Sequence, residues 1–387
     1  MTSGGGASSA EVHAEPEQRV TPLELFFDLV FVFAITQVTS LMSTLPTWQG
    51  LAQGMLVLAA LWWAWAAYAW LTNTLASDDR LARLGIFSAM AAMLVAALAA
   101  PKAFGDEGVL FGCAYFVVRV LHIVVYAQGS PDVGVRQAVT RLAPTAVGAP
   151  ALLIVAGFMD DAVQGLLWAA ALAIDYAGPA IMGPGGWRMS PAHFAERFGL
   201  IIIIALGESI VAIGVGASGP RLDAGVVVAA VLAVAAVAAL WWAYFDVVAI
   251  VAERKFREAR GEAQIRIARD SYSYLHLPMI AGIVLLALGI KKTVAAFDAP
   301  LDTVPAAALC GGIALYLLGH IGFRLRNVGT LNRQRLATAL LLLALIPLAT
   351  QVDALVALAG VTAASCGLVA YEATRFADAR ARVRAVR

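Results

Sequence analysis

Charge is what this chain has least of. Only 14% of its 387 residues are Asp, Glu, Lys or Arg, and the formal net charge is +1. A soluble domain carries roughly 25% charged residues. A balance so close to zero offers no electrostatic footprint for a nucleic acid, so none is expected as a partner. Cysteine is nearly absent too. The three present, Cys113, Cys310 and Cys366, lie inside apolar runs, which argues for small packing residues and against a disulfide framework or a thiolate metal centre. The chain has no His-Glu-x-x-His, no Cys-x-x-Cys and no phosphate-binding glycine loop. Gly207-Glu208-Ser209 is not a nucleophile elbow, and no histidine, serine and acid stand out as a triad. Nothing in the sequence therefore points to an enzyme, a nucleotide-driven pump, a cofactor or a metal. Residues 1–20 are rich in Gly, Ser and Glu and are expected to be disordered. They lack the cationic start of a signal peptide, so the first apolar run is expected to be retained.

What fills the chain instead is apolar: 61% of residues, gathered into runs such as 51–71 and 225–244. Each run is long enough to cross roughly 30 Å of hydrocarbon as a helix. The expected fold is an all-α polytopic membrane protein with about 12 transmembrane helices. They are placed near residues 22–44, 50–73, 82–101, 107–128, 138–158 and 162–183, then 191–216, 223–250, 271–292, 303–323, 333–350 and 353–374.

Basic residues give an independent check. With alternating helices and the amino terminus in the cytoplasm, 22 of the 27 Lys and Arg fall on the inner side. The outer side holds only 4, namely Lys102, Arg221, Lys291 and Lys292, and Arg119 sits inside a helix. The positive-inside rule expects this bias, with both termini cytoplasmic in the inner membrane. The stretch 253–269 reads as a basic cytoplasmic loop that touches anionic lipid.

The sequence also repeats. Leu61-Trp62-Trp63-Ala64 recurs as Leu240-Trp241-Trp242-Ala243, His122-Ile123 as His320-Ile321, and Arg136-Gln137 as Arg333-Gln334. The same spacing matches Asp175 with Glu372. Thr21-Pro22 and Ser190-Pro191 both read as a capping residue followed by proline at the first helical position, and Glu24 completes a capping box with Thr21. The expected organisation is a terminus (1–20), a first six-helix repeat (21–185), a second (186–375) and a basic tail (376–387). Repeats with an even number of crossings point the same way, as in parallel-repeat transporters.

Ionisable groups at membrane depth cost roughly 2.5–3.5 kcal/mol on insertion scales, so each needs a reason. Glu24 and Asp28 are four apart on one face of helix 1, with Asp28 ringed by phenylalanines. Glu208 lies near the middle of helix 7, and Arg197 shares its stripe roughly 16 Å away. Aligning the two Ser/Thr-Pro starts sets Asp28 opposite Arg197, whereas aligning the glutamates sets Glu24 opposite Glu196. The first register predicts an Asp28–Arg197 pair between the halves. Asp246 near the end of helix 8, and Arg119, His122 and His320, are secondary candidates. For the histidines a packing role and a proton relay both remain open.

Three stretches, 24–33, 193–208 and 241–246, taken in that order, resemble the low temperature requirement A family of bacterial membrane proteins. The resemblance implies an inner-membrane location and no particular reaction. Phe26-x-Asp28-x-Val30-Phe31-x-x-Ala34-Ile35-Thr36 is also similar to the first helix of potassium channels that carry a Phe-Ser-Asp motif, but Phe27 takes the place of the serine, the arginine preceding that motif is missing, and the second half has no equivalent aspartate.

These readings converge on a transporter or channel for a small cation, proton or small solute. Its path would be lined by Asp28, Arg197 and Glu208, with Glu24 and Glu196 at the cytoplasmic mouth. The alternative is a membrane scaffold or lipid-binding protein in which the same charges act as structural glue. The lipid bilayer is the one partner both share.

Overall fold

A computed structural model describes residues 19–74, 80–219 and 222–385. The expectation of disorder for residues 1–20 therefore falls, up to residue 18, outside the described residues. The described chain is helical, and 11 of its helices are long and apolar enough to cross a membrane. In the first part these are α1 (Pro22–Thr44), α2 (Trp48–Thr74), α3 (Arg80–Ala99, extended by a 3-10 turn to Lys102), α4 (Gly108–Gly129), α5 (Val133–Ala156) and α6 (Asp161–Met182). The second part opens with α7 (Pro191–Ala217) and α8 (Ala224–Phe245).

Short polar helices follow where a simple loop was expected. Helices α9 (Val248–Glu258) and α10 (Gly261–Ile267) take up the basic stretch. Ion pairs one turn apart lace them: Lys255–Glu258 at 2.7 Å, Arg257–Glu253 at 2.7 Å and Arg266–Glu262 at 2.8 Å. Such i,i+3 and i,i+4 pairs stabilise a solvated helix, so the basic residues sit on an ordered element. From α10 the chain passes through a π-helical stretch, Ala268–Tyr274, into α11 (His276–Ala295), followed by α12 (Thr303–Val328).

The helix expected over 333–350 is divided into α13 (Arg333–Ala344) and α14 (Ile346–Ala349). Pro347 is the cause, since a proline has no N–H to donate and crowds the preceding turn. The pair still crosses the bundle. Residue 333 follows closely on the end of α12, while the Ala354 N–H donates to Ala299 O at 2.9 Å, beside the start of α12. Residues 333–353 thus run the length of α12 in the opposite direction. The chain closes with α15 (Ala354–Arg375) and the short α16 (Ala377–Arg384).

Helix neighbours recur between the two parts. In the first, α1 packs on α2 and α3, α3 on α4, α4 on α5, and α5 and α2 on α6. In the second, α7 packs on α8 and α11, α11 on α12, α12 on α13, and α13 and α8 on α15. The parts meet where α1 and α2 contact α7 and α11. Small residues set the closest approach: a Cβ on Gly282 would stand 2.5 Å from Gly312 O, and one on Gly312 would stand 2.6 Å from Leu286 N. Membrane helices use such positions to bring backbones together.

The outer surface is apolar, with Leu29, Leu166 and Val231 more than half exposed, as hydrocarbon contact requires. The repeated Trp-Trp motif is used differently in the two parts. Trp62 and Trp63 are buried at the junction, whereas Trp241 and Trp242 face outward.

Candidate functional site

The start of α1 explains how two acids come to face inward. Thr21 caps the helix, and Glu24 reaches back to accept from the Thr21 N–H at 2.8 Å, closing the expected capping box. One turn on, Asp28 projects from the same face. Opposite stands the first part of α7, where His193 and Arg197 are again four residues apart. Ser190 precedes this helix without making the side-chain cap expected of it. Asn73 of α2 takes over: its Oδ1 accepts from the Ser190 N–H at 2.9 Å, and its Nδ2 donates to Ser190 O at 3.0 Å.

These elements assemble one buried cluster. Arg197 Nη2 donates to Asp28 Oδ1 at 2.8 Å, which is the pair predicted between the halves. Arg197 Nη1 lies 3.1 Å from Glu24 Oε1, close enough for charge attraction but without hydrogen-bond alignment. Trp65 Nε1 also donates to Asp28 Oδ1, at 2.8 Å, and the Arg197 guanidinium lies 5.7 Å from the Trp65 ring centroid. Glu24, Asp28, His193 and Arg197 are all at least 97% buried.

Hydrogen bonding fixes the state of the histidine. The Ser190 contacts orient the Asn73 amide, so its Nδ2 donates to His193 Nδ1 at 2.9 Å. The imidazole proton then sits on Nε2, which donates to Glu24 Oε2 at 3.1 Å. With a neutral histidine, two carboxylates share one guanidinium, and Asp28 Oδ2 is buried with no hydrogen-bond partner. The cluster therefore holds one more acid than base, and an open oxygen on which a proton can reside.

A second junction lies further along the same helices. Thr36 of α1 donates to Glu208 Oε2 of α7 at 2.6 Å, and Glu208 is 3% exposed. Ile201 and Ala205 lie on the α7 stripe between Arg197 and Glu208. With Phe31 and Ile202 they are completely buried. An apolar layer thus separates the two acidic stations.

The remaining candidates are elsewhere. Glu196 is exposed and accepts from the Val20 N–H at 3.3 Å, so it does not pair with Glu24 at a common mouth. Glu24 itself is buried in the cluster and forms no mouth. Asp246 is held by Arg380, whose Nε donates at 2.6 Å, and by Arg384, and so ties the end of α8 to α16. Arg119 pairs with Asp175 at 2.7 Å inside the first part, next to His122. In the second part Arg335 pairs with Glu372 at 2.9 Å and touches His320 Nδ1 at 2.8 Å.

Both parts therefore hold an acid, an arginine and a histidine, but the arginine comes from α4 in one and α13 in the other. That exchange hides the second arginine from a search by spacing. His193, Asn73, Trp65 and Arg335 were not singled out by the sequence. The signal for Arg335 was Glu372 itself, an acid in an apolar helix that needs a partner. Among the described residues no group of three or more His, Cys, Asp or Glu is placed to hold a metal ion.

The profile of the bacterial low temperature requirement A protein (LtrA) matches residues 19–370. The chain is also similar to an uncharacterized protein of Rhizobium meliloti. The two share 30% identity over 309 residues, which is 76% of this chain and 75% of that protein.

Proposed function

This chain belongs to the bacterial low temperature requirement A family, and on that footing we propose that it is a secondary transporter which binds and releases a proton or small cation at the junction of α1 and α7. One observation carries the reading: Glu24 and Asp28 share a single guanidinium, with Asp28 Oδ2 buried and unpartnered. A buried acid without full compensation is costly in a membrane, and proton or cation binding relieves that cost. The apolar layer of Phe31, Ile201, Ile202 and Ala205 favours a carrier that alternates between states over an open channel. In this reading the chain has no catalytic activity. It lies in the inner membrane with both termini in the cytoplasm, as the basic residues favour. Its halves, residues 21–185 and 186–375, are duplicated six-helix repeats, which the recurring order of helix neighbours supports.

The test is flux into proteoliposomes loaded with a pH-sensitive dye, under a proton, sodium or potassium gradient. The native protein is expected to pass current that Asp28→Asn abolishes while remaining a folded, monodisperse bundle. An absence of flux in the native protein, with a loss of thermal stability in Asp28→Asn, would favour a scaffold in which the cluster only joins helices.

A further inference from the structure

Each part of the molecule holds a cavity beside its buried arginine. The first lies between α2, α4, α5 and α6 and measures about 70 Å³, with Arg119 and His122 in its wall. The second, about 500 Å³, is walled mainly by α9, α12, the start of α13 and α16, with Arg335 and Glu372 also in its wall.

Their arginines differ in one respect. In the second cavity the hydrogen-bonding groups of Arg335 are taken up within the protein. Nε and Nη2 both donate to Glu372 at 2.9 Å, Nη2 also donates to Ala243 O at 3.1 Å, and Nη1 meets His320. In the first cavity Arg119 makes one such bond, from Nη2 to Asp175. Its Nε and Nη1 have no partner, and His122 meets only the backbone of Ala67, without an aligned hydrogen bond, although the two residues are only 1% and 2% exposed. Buried donors are almost always satisfied in a native protein. Here they line a space with room for a few water-sized groups.

The surroundings identify what would satisfy them. Above Arg119 and His122 the walls are aromatic: Trp70 and Tyr126 each pack edge to face on Trp187 with ring centroids 5.5 Å apart, and Trp63 closes the side. Arg141 and Arg269 stand in the wall where α5 and the π-helical stretch meet the end of α6 and the loop after it. Asp175 already balances the charge of Arg119, and Asp270, 2.7 Å from Arg269, balances that of Arg269, so the free feature at the base is a set of donors for oxygen, and the added positive charge comes from Arg141.

We propose that this cavity binds a small organic anion, with its carboxylate or phosphate at Arg119 and His122 and the remainder of the molecule leaving past Trp187 towards Arg141. The site does not depend on proton movement at the junction of α1 and α7. The same chemistry could be presented by a free metabolite-sized anion or by an anionic lipid headgroup.

The test is tryptophan fluorescence and thermal unfolding of the full-length protein in neutral detergent. It is titrated separately with phenyl phosphate, benzoate, inorganic phosphate and phosphatidylglycerol. Saturable binding of at least one probe is expected, weakened tenfold or more by His122→Leu and by Trp187→Ala, and unchanged by His320→Leu in the second part of the chain. Phenyl phosphate or benzoate binding without phosphatidylglycerol binding would identify a free anion, and the reverse a lipid headgroup. Trp187 lies in a connecting loop, so its variant keeps the test open if His122→Leu fails to fold. No saturable response from the folded native protein to any probe, or equal binding in Trp187→Ala, would overturn the proposal.

Discussion

Arg197 of α7 donates to Asp28 of α1 at 2.8 Å, and neither side chain is more than 1% exposed. The bond joins the two parts of the chain at a depth where water cannot replace either partner. Removing one member of a buried pair leaves an uncompensated charge, a loss of about 3–5 kcal/mol. Arg197→Leu is therefore expected to lower the unfolding temperature sharply, and Asp28→Arg alone to do the same. Combining Asp28→Arg with Arg197→Asp should restore more than half of the loss, as read by thermal unfolding in detergent. Additive damage in the double variant would mean that the surrounding groups, Glu24 and Trp65 above all, outweigh the pair itself.

Glu208 has a gentler environment. Its closest contact is the Thr36 hydroxyl at 2.6 Å, with the Thr39 hydroxyl also nearby, and an amide oxygen can accept from either as well as a carboxylate does. Glu208→Gln should thus change stability by no more than about 1 kcal/mol, the net worth of an ordinary hydrogen bond. If this glutamate is a station for the transported proton or cation, flux in proteoliposomes should fall at least tenfold in the same variant. Thr36→Val removes the donor and should destabilise more than Glu208→Gln does.

The apolar runs made the helix count legible, because hydrocarbon thickness sets a length that a sequence must meet. The Asp28–Arg197 contact was legible for a similar reason: opposite charges at matching depth in matching helices have few other partners. Three features were not. The break before Pro347 divides a helix without altering its hydropathy. The folding of residues 248–267 into α9 and α10 depends on ion pairs between side chains that composition reads only as polar. The fate of the two Trp-Trp motifs turns on which helix occupies the centre of the bundle. Trp62 and Trp241 have identical neighbours in sequence, yet one is fully buried and the other 44% exposed.

The contact of α11 with α12 supplies a packing test with its own control. Gly312 stands where a Cβ would meet Leu286 N at 2.6 Å, whereas Gly360 in α15 has open space around it. Gly312→Val forces the backbones apart and is expected to cost about 1–3 kcal/mol, the usual penalty of overpacking. Gly360→Ala fills nothing and gains helix propensity, about 1 kcal/mol at most. Unfolding temperatures of the two variants in one detergent should move in opposite directions. A matching loss in both would show that glycine is needed in these helices for flexibility and not for contact.

The Arg335–Glu372 pair separates a structural charge from a working one. Arg335 Nε donates to Glu372 Oε1 and Nη2 to Oε2, both at 2.9 Å, and Asn332 adds a third bond to Oε1 at 2.9 Å. With its hydrogen-bonding groups occupied in this way, the pair has little capacity to take up a proton or ligand. Truncating one member, as in Glu372→Ala, should cost about 3–5 kcal/mol, because Arg335 is left charged and buried. Replacing both, as in Arg335→Leu with Glu372→Leu, removes the stranded charge and should cost less than either single change. Flux per folded molecule should be unaffected in the double variant, whereas at Asp28 it should be lost even where folding survives. Loss of flux in the double variant at full folded yield would place Glu372 on the transport path and give the second half a working acid of its own.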